Sequence, residues 1–162
     1  MASRKSLAAI IGASAAGVLI AFTGAREGLS LTPYRDPAGV WTVCRGQTGV
    51  TMQVYTTGQC DAMLADTLAM IIQQVRAVTP GFDSLPDGVK VAVGDFAYNV
   101  GTGTYDKSSI RRKLASGDVA AGCDAILLYK YAGGHDCSQR DSDCYGVWER
   151  RLAEREMCLS GN

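Results

Sequence analysis

Three residues near the start of the chain have side chains that could share one chemical task. Glu27, Asp36 and Thr42 bring two carboxyl groups and a hydroxyl group together in one short segment. Hydrolysis of a glycosidic bond uses such a set, because one carboxylic acid protonates the leaving oxygen while other polar groups position or activate water. The competing interpretation is structural, since acidic residues near turns commonly cap backbone groups or face solvent.

The elements that must position these residues are short and rich in turn formers. Residues 31–34 and 40–43 predict two strands, and the Asp-Pro-Ala-Gly sequence at 36–39 predicts the turn between them. Such a hairpin holds Asp36 near Thr42 while Glu27 approaches from the preceding segment, so that all three face one cleft. Residues 43–54 are rich in Thr, Val and Gly and are expected to complete a small sheet.

Length and charge limit the remaining possibilities. The chain has 162 residues, which fits a single domain with a real hydrophobic core. Sixteen basic residues balance sixteen acidic ones, so the formal net charge is zero. This balance gives no electrostatic case for binding nucleic acid, and no nucleic-acid motif is present.

The cysteine pattern predicts disulfides rather than a metal site. There are six cysteines and one histidine, His135, and no Cys-x-x-Cys pair, which argues against zinc. Disulfides in an oxidising compartment are the better explanation, although six cysteines allow fifteen pairings. The pairing we favour is Cys137–Cys144 across a short loop, Cys123–Cys158 between two late helices, and Cys44–Cys60 as the remaining pair.

The order of residues resembles that of the bacteriophage-type lysozymes. Glu27, Asp36 and Thr42, followed by Gly-Gln-Thr-Gly at 46–49, are similar to the catalytic signature of that family. Residues 96–103 and 146–155 resemble two later blocks in the same order, so the resemblance covers residues 27–159. It implies that Glu27 is the general acid and that Asp36 and Thr42 serve the attacking water.

The resemblance also implies a fold, a substrate and a product. The fold would be α+β and lysozyme-like, with a small antiparallel sheet, a mostly helical larger lobe and a cleft between them. The reaction would be inverting hydrolysis of the β-1,4 bond between N-acetylmuramic acid and N-acetylglucosamine in peptidoglycan, without metal or organic cofactor. Tyr98 and Asn99 match the block that lines the cleft, where they would contact the glycan or support the structure. Two alternatives are a tethered glycan-binding protein that has lost turnover and a lytic transglycosylase, and the intact set of three residues disfavours both.

The N-terminal segment predicts an interaction with a membrane. After Arg4 and Lys5, residues 7–25 carry no charge, and a helix of this length reaches about 28 Å, enough to cross a bilayer core. Many of its residues are Gly, Ala or Ser, which makes it a marginal anchor. A cleaved signal peptide would leave Glu27 at a frayed terminus, where a general acid is poorly held. A permanent anchor conflicts with the weak hydrophobicity.

The third interpretation comes from the resemblance. A phage lysozyme with a weakly apolar N-terminal helix resembles the signal-anchor-release endolysins. The host secretion machinery exports these proteins, and they wait in the inner membrane with the N-terminus inside. They become active when they are released into the periplasm. Residues 1–25 would be the anchor segment, and residues 26–162 the catalytic domain of a monomer. Only Arg26 separates the anchor from Glu27, so tethering would hold the acid at the headgroup surface. The anchor contains no cysteine and position 36 is Asp, so inhibition by disulfide exchange is not expected.

The rest of the chain predicts mainly helices. Residues 59–78 have apolar side chains at three- and four-residue spacing, and residues 88–99 repeat that pattern. Ser108 and Asp118 are expected to cap two shorter helices. The last helix, residues 145–159, has Trp148, Leu152 and Leu159 on one side.

Overall fold

The computed structural model describes residues 5–160, and Arg4 of the predicted basic start lies outside them. The chain divides into two compact units at the boundary between Met70 and Ile71. The elements that begin in the first unit are α1 (Leu7–Ile11), α2 (Ala13–Gly24), β1 (Ser30–Arg35), β2 (Trp41–Cys44) and α3 (Thr57–Val78), of which α3 continues across the boundary. The second unit contains α4 (Asp87–Val100), α5 (Thr102–Lys107), α6 (Ser109–Ala115), α7 (Val119–Ala125), β3 (Tyr131–Ala132), β4 (His135–Asp136) and α8 (Tyr145–Ser160). The fold is α+β and mostly helical, as the sequence predicted.

The N-terminal segment differs from the single helix expected over residues 7–25. It forms α1 and α2, which are separated at Gly12, where φ is 87° and only glycine is comfortable. Leu7, Ile11 and Leu19 are at most 5% exposed, so one face of the segment is buried in this structure. Within residues 5–160, no helix combines the length and apolar character needed to span a bilayer.

The predicted hairpin is confirmed, with strands β1 and β2 antiparallel. The expectation that residues 43–54 complete the sheet was wrong, because the chain turns back at once after β2 and forms an isolated bridge between Val43 and Gln47 instead of a further strand. Positive φ angles of 62° at Cys44 and 85° at Gly46 produce this tight turn. The first sheet in the described chain therefore has two strands.

Helix α3 begins two residues earlier than the sequence pattern indicated. Thr56 Oγ1 accepts from Gln59 N at 3.2 Å, and Gln59 Oε1 accepts from Thr56 N at 2.8 Å, which is a reciprocal cap for the first turn. Leu64 and Leu68 on its apolar stripe are fully buried. The spacing of large apolar residues therefore identified the correct buried face of this helix.

Among its described residues, the second unit contains the end of α3, the five α-helices α4 to α8, two short 3-10 helices (Phe82–Ser84 and Ile126–Leu128) and the hairpin β3–β4, whose strands have two residues each. The predicted caps are confirmed: Ser108 accepts from Arg111 N at 3.1 Å, and Asp118 accepts from Ala121 N at 3.1 Å. All three favoured disulfides are present, namely Cys44–Cys60, Cys123–Cys158 and Cys137–Cys144.

The face of α8 was predicted wrongly. Leu152 and Leu159 are 40% and 45% exposed, whereas Arg151 and Glu154 are fully buried. Arg151 is buried where it donates to Asn99 of α4, Glu154 is buried beside it, and the neighbouring Arg150 pairs with Asp95 of α4. Helix α8 is therefore anchored by paired charges.

Candidate active site

The turn that joins β1 to β2 fixes the position of Asp36. Its backbone N–H donates to Val40 O at 3.0 Å, and its carbonyl oxygen accepts from Gly39 N at 2.8 Å. The side-chain Oδ1 accepts a further hydrogen bond from Val40 N at 2.8 Å. Asp36 therefore has the structural role of capping the turn, and this same role holds its carboxylate in one orientation.

Thr42 is held by the same neighbour. It pairs with Tyr34 across the hairpin and is only 3% exposed. Its Oγ1 donates to Val40 O at 3.1 Å, so its lone pairs remain acceptors for a water proton. Because Val40 binds Asp36 through its N–H and Thr42 through its carbonyl, one residue brings two of the predicted site residues together.

Glu27 lies just beyond the end of α2, on the segment that leads into β1. It is half-buried, and its backbone N–H approaches Gly24 O at 3.4 Å. The next residue, Gly28, has φ of 61°, a left-handed conformation that turns the chain toward β1. The backbone of Glu27 is thus attached to the end of α2.

An irregular register shortens the hairpin on the side of Glu27. The strands pair Ser30 with Cys44 and then Tyr34 with Thr42, so β1 uses four residues where β2 uses two. Two residues of strand span about 7 Å, and extra residues on one strand also bend it. Ser30, at the start of β1 and three residues beyond Glu27, consequently pairs with Cys44, which is only two residues from Thr42 on β2.

Two residues of this region, Arg45 and Asp61, were not predicted from the sequence. Arg45 Nη1 donates to Gly24 O at 2.7 Å, and Arg45 Nε donates to Asp61 Oδ1 at 2.8 Å. The signal that could have revealed them is adjacency, because Arg45 directly follows Cys44 and Asp61 directly follows Cys60. Once those cysteines are paired, the opposite charges beside them come within reach of each other.

The second unit has its own candidate binding feature, a pocket of about 470 Å³. Asn99 is exposed and lines the pocket, while Tyr98 is not among the lining residues and is half-buried. Arg151 also lines it, and its Nη2 donates to Asn99 Oδ1 at 2.7 Å. The remaining lining residues are Val100, Thr104, Leu128, Tyr129, Tyr131, Ala132 and Val147. Leu128 and Tyr131 are exposed and give the pocket an apolar surface.

A network of charges is buried beside this pocket. Arg150 binds both carboxylate oxygens of Asp95, at 2.8 and 2.9 Å. Arg151 Nη2 donates to Glu154 Oε1 at 2.9 Å and stacks over Phe96 at 4.9 Å. Burial of the Glu154 carboxyl, assisted by the neighbouring Asp95 carboxylate, raises its pKa to about 9 despite the nearby guanidinium groups. The network fixes α8 against α4 and thereby the orientation of Arg151 at the pocket.

No group of three or more potential metal ligands occurs among residues 5–160. His135 is exposed in β4, at the tip of a hairpin.

A model of the phage lysozyme family matches residues 24–154, a range that contains all three candidate catalytic residues. The chain belongs to the phage lysozyme family. Membership in this family identifies the chain as a lytic endolysin and a glycosidase. Peptidoglycan as its substrate is consistent with the family.

Individual phage lysozymes match nearly the whole chain. The protein named SAR-endolysin from Enterobacteria phage P21 is 36% identical over 167 residues, covering 98% of this chain and 96% of that relative. Among solved structures, the active form of P1 phage endolysin Lyz matches with a TM-score of 0.73 and 26% identity, covering 99% of this chain and 97% of that one. The secreted inactive form of the same endolysin matches with a TM-score of 0.54 and 24% identity, covering 91% and 94%.

Proposed function

We propose that this chain hydrolyses the β-1,4 bond between N-acetylmuramic acid and N-acetylglucosamine in peptidoglycan. Glu27 is the general acid that protonates the leaving oxygen, and Asp36 and Thr42 hold and activate the attacking water. The observation that carries this proposal is the shared attachment of Asp36 and Thr42 to Val40, at 2.8 and 3.1 Å. A single water can then be bound by one acceptor carboxylate and one acceptor hydroxyl.

The same arrangement favours inversion of configuration. A retaining enzyme requires its second carboxylate to attack the sugar directly, whereas an inverting enzyme uses it as a base for water. Thr42 Oγ1 has no role in a direct attack by Asp36, but it is well placed to orient a water molecule, because Val40 O already takes its proton. We therefore assign Asp36 the role of general base.

The pocket of the second unit is proposed to bind the glycan strand. Asn99 offers an amide for hydrogen bonds to sugar hydroxyl or acetamido groups, and Leu128 and Tyr131 offer apolar surface to the sugar rings. Tyr98 is proposed to support Asn99 from the same helix and not to contact the glycan, since the pocket is lined without it. No metal or organic cofactor takes part.

The N-terminal segment is proposed to give the enzyme a tethered state and a released state. Residues 1–25 are the signal-anchor-release segment and residues 26–162 the catalytic domain, which acts as a monomer. Host secretion machinery exports the chain, the segment rests in inner-membrane lipid with its N-terminus inside, and release delivers active enzyme to the periplasm. Burial of Leu7, Ile11 and Leu19 supports this proposal, because it provides these side chains with a place away from water when they are not in lipid.

The experiment that tests the reaction is mass spectrometry of the soluble products from purified peptidoglycan. Hydrolysis yields reducing N-acetylmuramic acid ends, and proton NMR of the first product formed reports its anomeric configuration. Anhydro ends would instead identify a lytic transglycosylase, and binding without any product would identify a glycan-binding protein. Either of these outcomes contradicts the proposal.

A further inference from the structure

The guanidinium group of Arg45 contacts the chain on both sides of Glu27. Its Nη1 donates to Gly24 O at 2.7 Å and approaches Gly28 O at 3.4 Å. Gly24 is the last residue of α2, where the final carbonyl groups lack partners within the helix and carry partial negative charge. A cation at this position caps the helix. The Arg45 guanidinium group also links Gly24, which precedes the turn at Glu27, to Gly28, which follows it.

Arg45 is itself held in a fixed orientation. Its Nε donates to Asp61 Oδ1 at 2.8 Å, and its side chain is only 16% exposed, whereas the side chain of Asp61 is 41% exposed and remains in contact with solvent. The Cys44–Cys60 disulfide joins the residues immediately before Arg45 and Asp61, with their Cα atoms 5.0 Å apart. The disulfide therefore fixes the two backbones from which the charged side chains project.

Gly24 provides the space for this contact. A Cβ atom at position 24 would lie 3.3 Å from Arg45 Cζ and 3.4 Å from its Nε and Nη1. Gly17, on the same helix, would bring a Cβ into open space with nothing within 4 Å. Of the two glycines of α2, Gly24 therefore lies against the Arg45 guanidinium group and Gly17 does not.

From these contacts we infer that Arg45 is a positioning residue for Glu27, and that the Arg45–Asp61 pair fixes the backbone that carries the general acid once the end of α2 lies against the rest of the first unit. The inference rests on the proposed function and adds a step to it. Arg45 and Asp61 belong to the folded body, so their contact with Gly24 O requires that the helix end has left the bilayer. Release alone is then insufficient for full activity without this ion pair.

The test uses the purified, released protein and first compares kcat and KM on soluble peptidoglycan fragments between wild type and four variants. Arg45→Met and Asp61→Asn are expected to lower kcat at least tenfold while changing KM less than twofold, because Glu27 is displaced without loss of glycan contacts. Arg45→Lys keeps one cation within reach of Gly24 O and should recover part of the lost kcat. Arg155→Met removes a comparable ion pair, with Asp124 at 2.7 Å in the second unit, and should leave kcat within twofold of wild type.

The glycine pair gives a second readout that does not depend on removing a charge. Gly24→Val is expected to lower kcat at least fivefold, whereas Gly17→Val, which adds the same apolar group to the same helix, should not change it. Circular dichroism at the assay temperature establishes that each variant is folded. Variants of Arg45 and Gly24 that are folded yet keep wild-type kcat would overturn the inference.

A Glu27→Gln variant separates this inference from the proposed function. If Glu27→Gln is inactive while folded Arg45→Met turns over at the wild-type rate, the role of Arg45 is wrong and the general acid stands. If Glu27→Gln itself retains wild-type turnover, the proposed function fails, and the role of Arg45 fails with it.

Discussion

The guanidinium group of Arg151 and the carboxyl group of Glu154 lie 2.9 Å apart with neither side chain exposed to solvent. Burial of the Glu154 carboxyl raises its pKa from 4.5 to about 9, so the folded protein holds this proton in a pH range where the unfolded chain has lost it. Raising the pH between these two values consequently favours the unfolded state. Below pH 4.5 both states are protonated, and above pH 9 neither is.

We therefore predict that Glu154 makes the protein less stable as the pH rises from 5 to 9, with a slope of at most about 1.4 kcal/mol per pH unit. Glu154→Gln keeps the shape but cannot titrate, so the difference in unfolding free energy between wild type and variant should change with pH in that direction. Urea unfolding at several pH values measures it. A difference that stays constant from pH 5 to 9 would show that Glu154 is ionised in the folded state.

Substitutions of Asp36 should separate its chemical role from its structural role. Asp36→Asn keeps an oxygen that can accept from Val40 N, so the turn and the melting temperature should be retained, while kcat falls about 10²- to 10⁴-fold because the base is lost. Asp36→Ala should lower both kcat and the melting temperature. Comparable kcat values for Asp36→Asn and wild type would remove Asp36 from the mechanism.

Thr42 can be tested with a matched pair of variants. Thr42→Ser keeps the hydroxyl group that donates to Val40 O, whereas Thr42→Val keeps the shape and loses that group. We expect kcat to fall about 10²-fold for the valine variant through misplacement of the water, and to change little for the serine variant. Equal losses for both variants would instead indicate that packing of the buried methyl group matters and the hydroxyl group does not.

The release step predicts an effect of anchor hydrophobicity. Replacing several Gly and Ala residues of the segment 7–25 by Leu should keep the enzyme in the inner membrane and leave it inactive there, because Glu27 is then held at the headgroup surface. Fractionation of cells and lytic activity of the membrane fraction measure this. Full activity of the membrane-bound variant would mean that tethering does not control the enzyme.

The Cys44–Cys60 disulfide should contribute measurably to stability. Its cysteines are 16 residues apart, and closing a loop of that size in the unfolded chain corresponds to about 3 kcal/mol. The double variant Cys44→Ser/Cys60→Ser should lose about that amount in urea unfolding. If the Cys44–Cys60 disulfide supports Arg45, this double variant should also have a lower kcat while still folded. The double variant Cys137→Ser/Cys144→Ser should not.

Features determined by local sequence were predictable. The hairpin followed from the turn sequence at 36–39, and the buried stripe of α3 followed from apolar spacing. The three disulfides match the favoured one of fifteen possible pairings, in which Cys137–Cys144 closes a short loop, Cys123–Cys158 joins two expected helices, and Cys44–Cys60 is the remaining pair. These signals are local because turn residues and side-chain periodicity act within one element.

The features that were missed depend on partners far away in sequence. Arg151 and Glu154 are buried on α8 because Asn99 and Asp95 of α4, more than 50 residues earlier, belong to the same network. The N-terminal helix is interrupted at Gly12, where φ is 87°, whereas Gly17 and Gly24 stay within α2, and the sequence alone does not distinguish these three glycines. The contact between Arg45 and Gly24 O joins residues 21 positions apart and has no local sequence signature.

The most direct test of the general acid is the rate at which purified, released enzyme produces reducing N-acetylmuramic acid ends from peptidoglycan, compared between wild type and Glu27→Gln. The glutamine side chain is nearly the same size but has no proton to give to the leaving oxygen. We predict that the variant folds normally and is at least about 10²-fold slower. A Glu27→Gln variant that releases these ends at the wild-type rate would contradict the account.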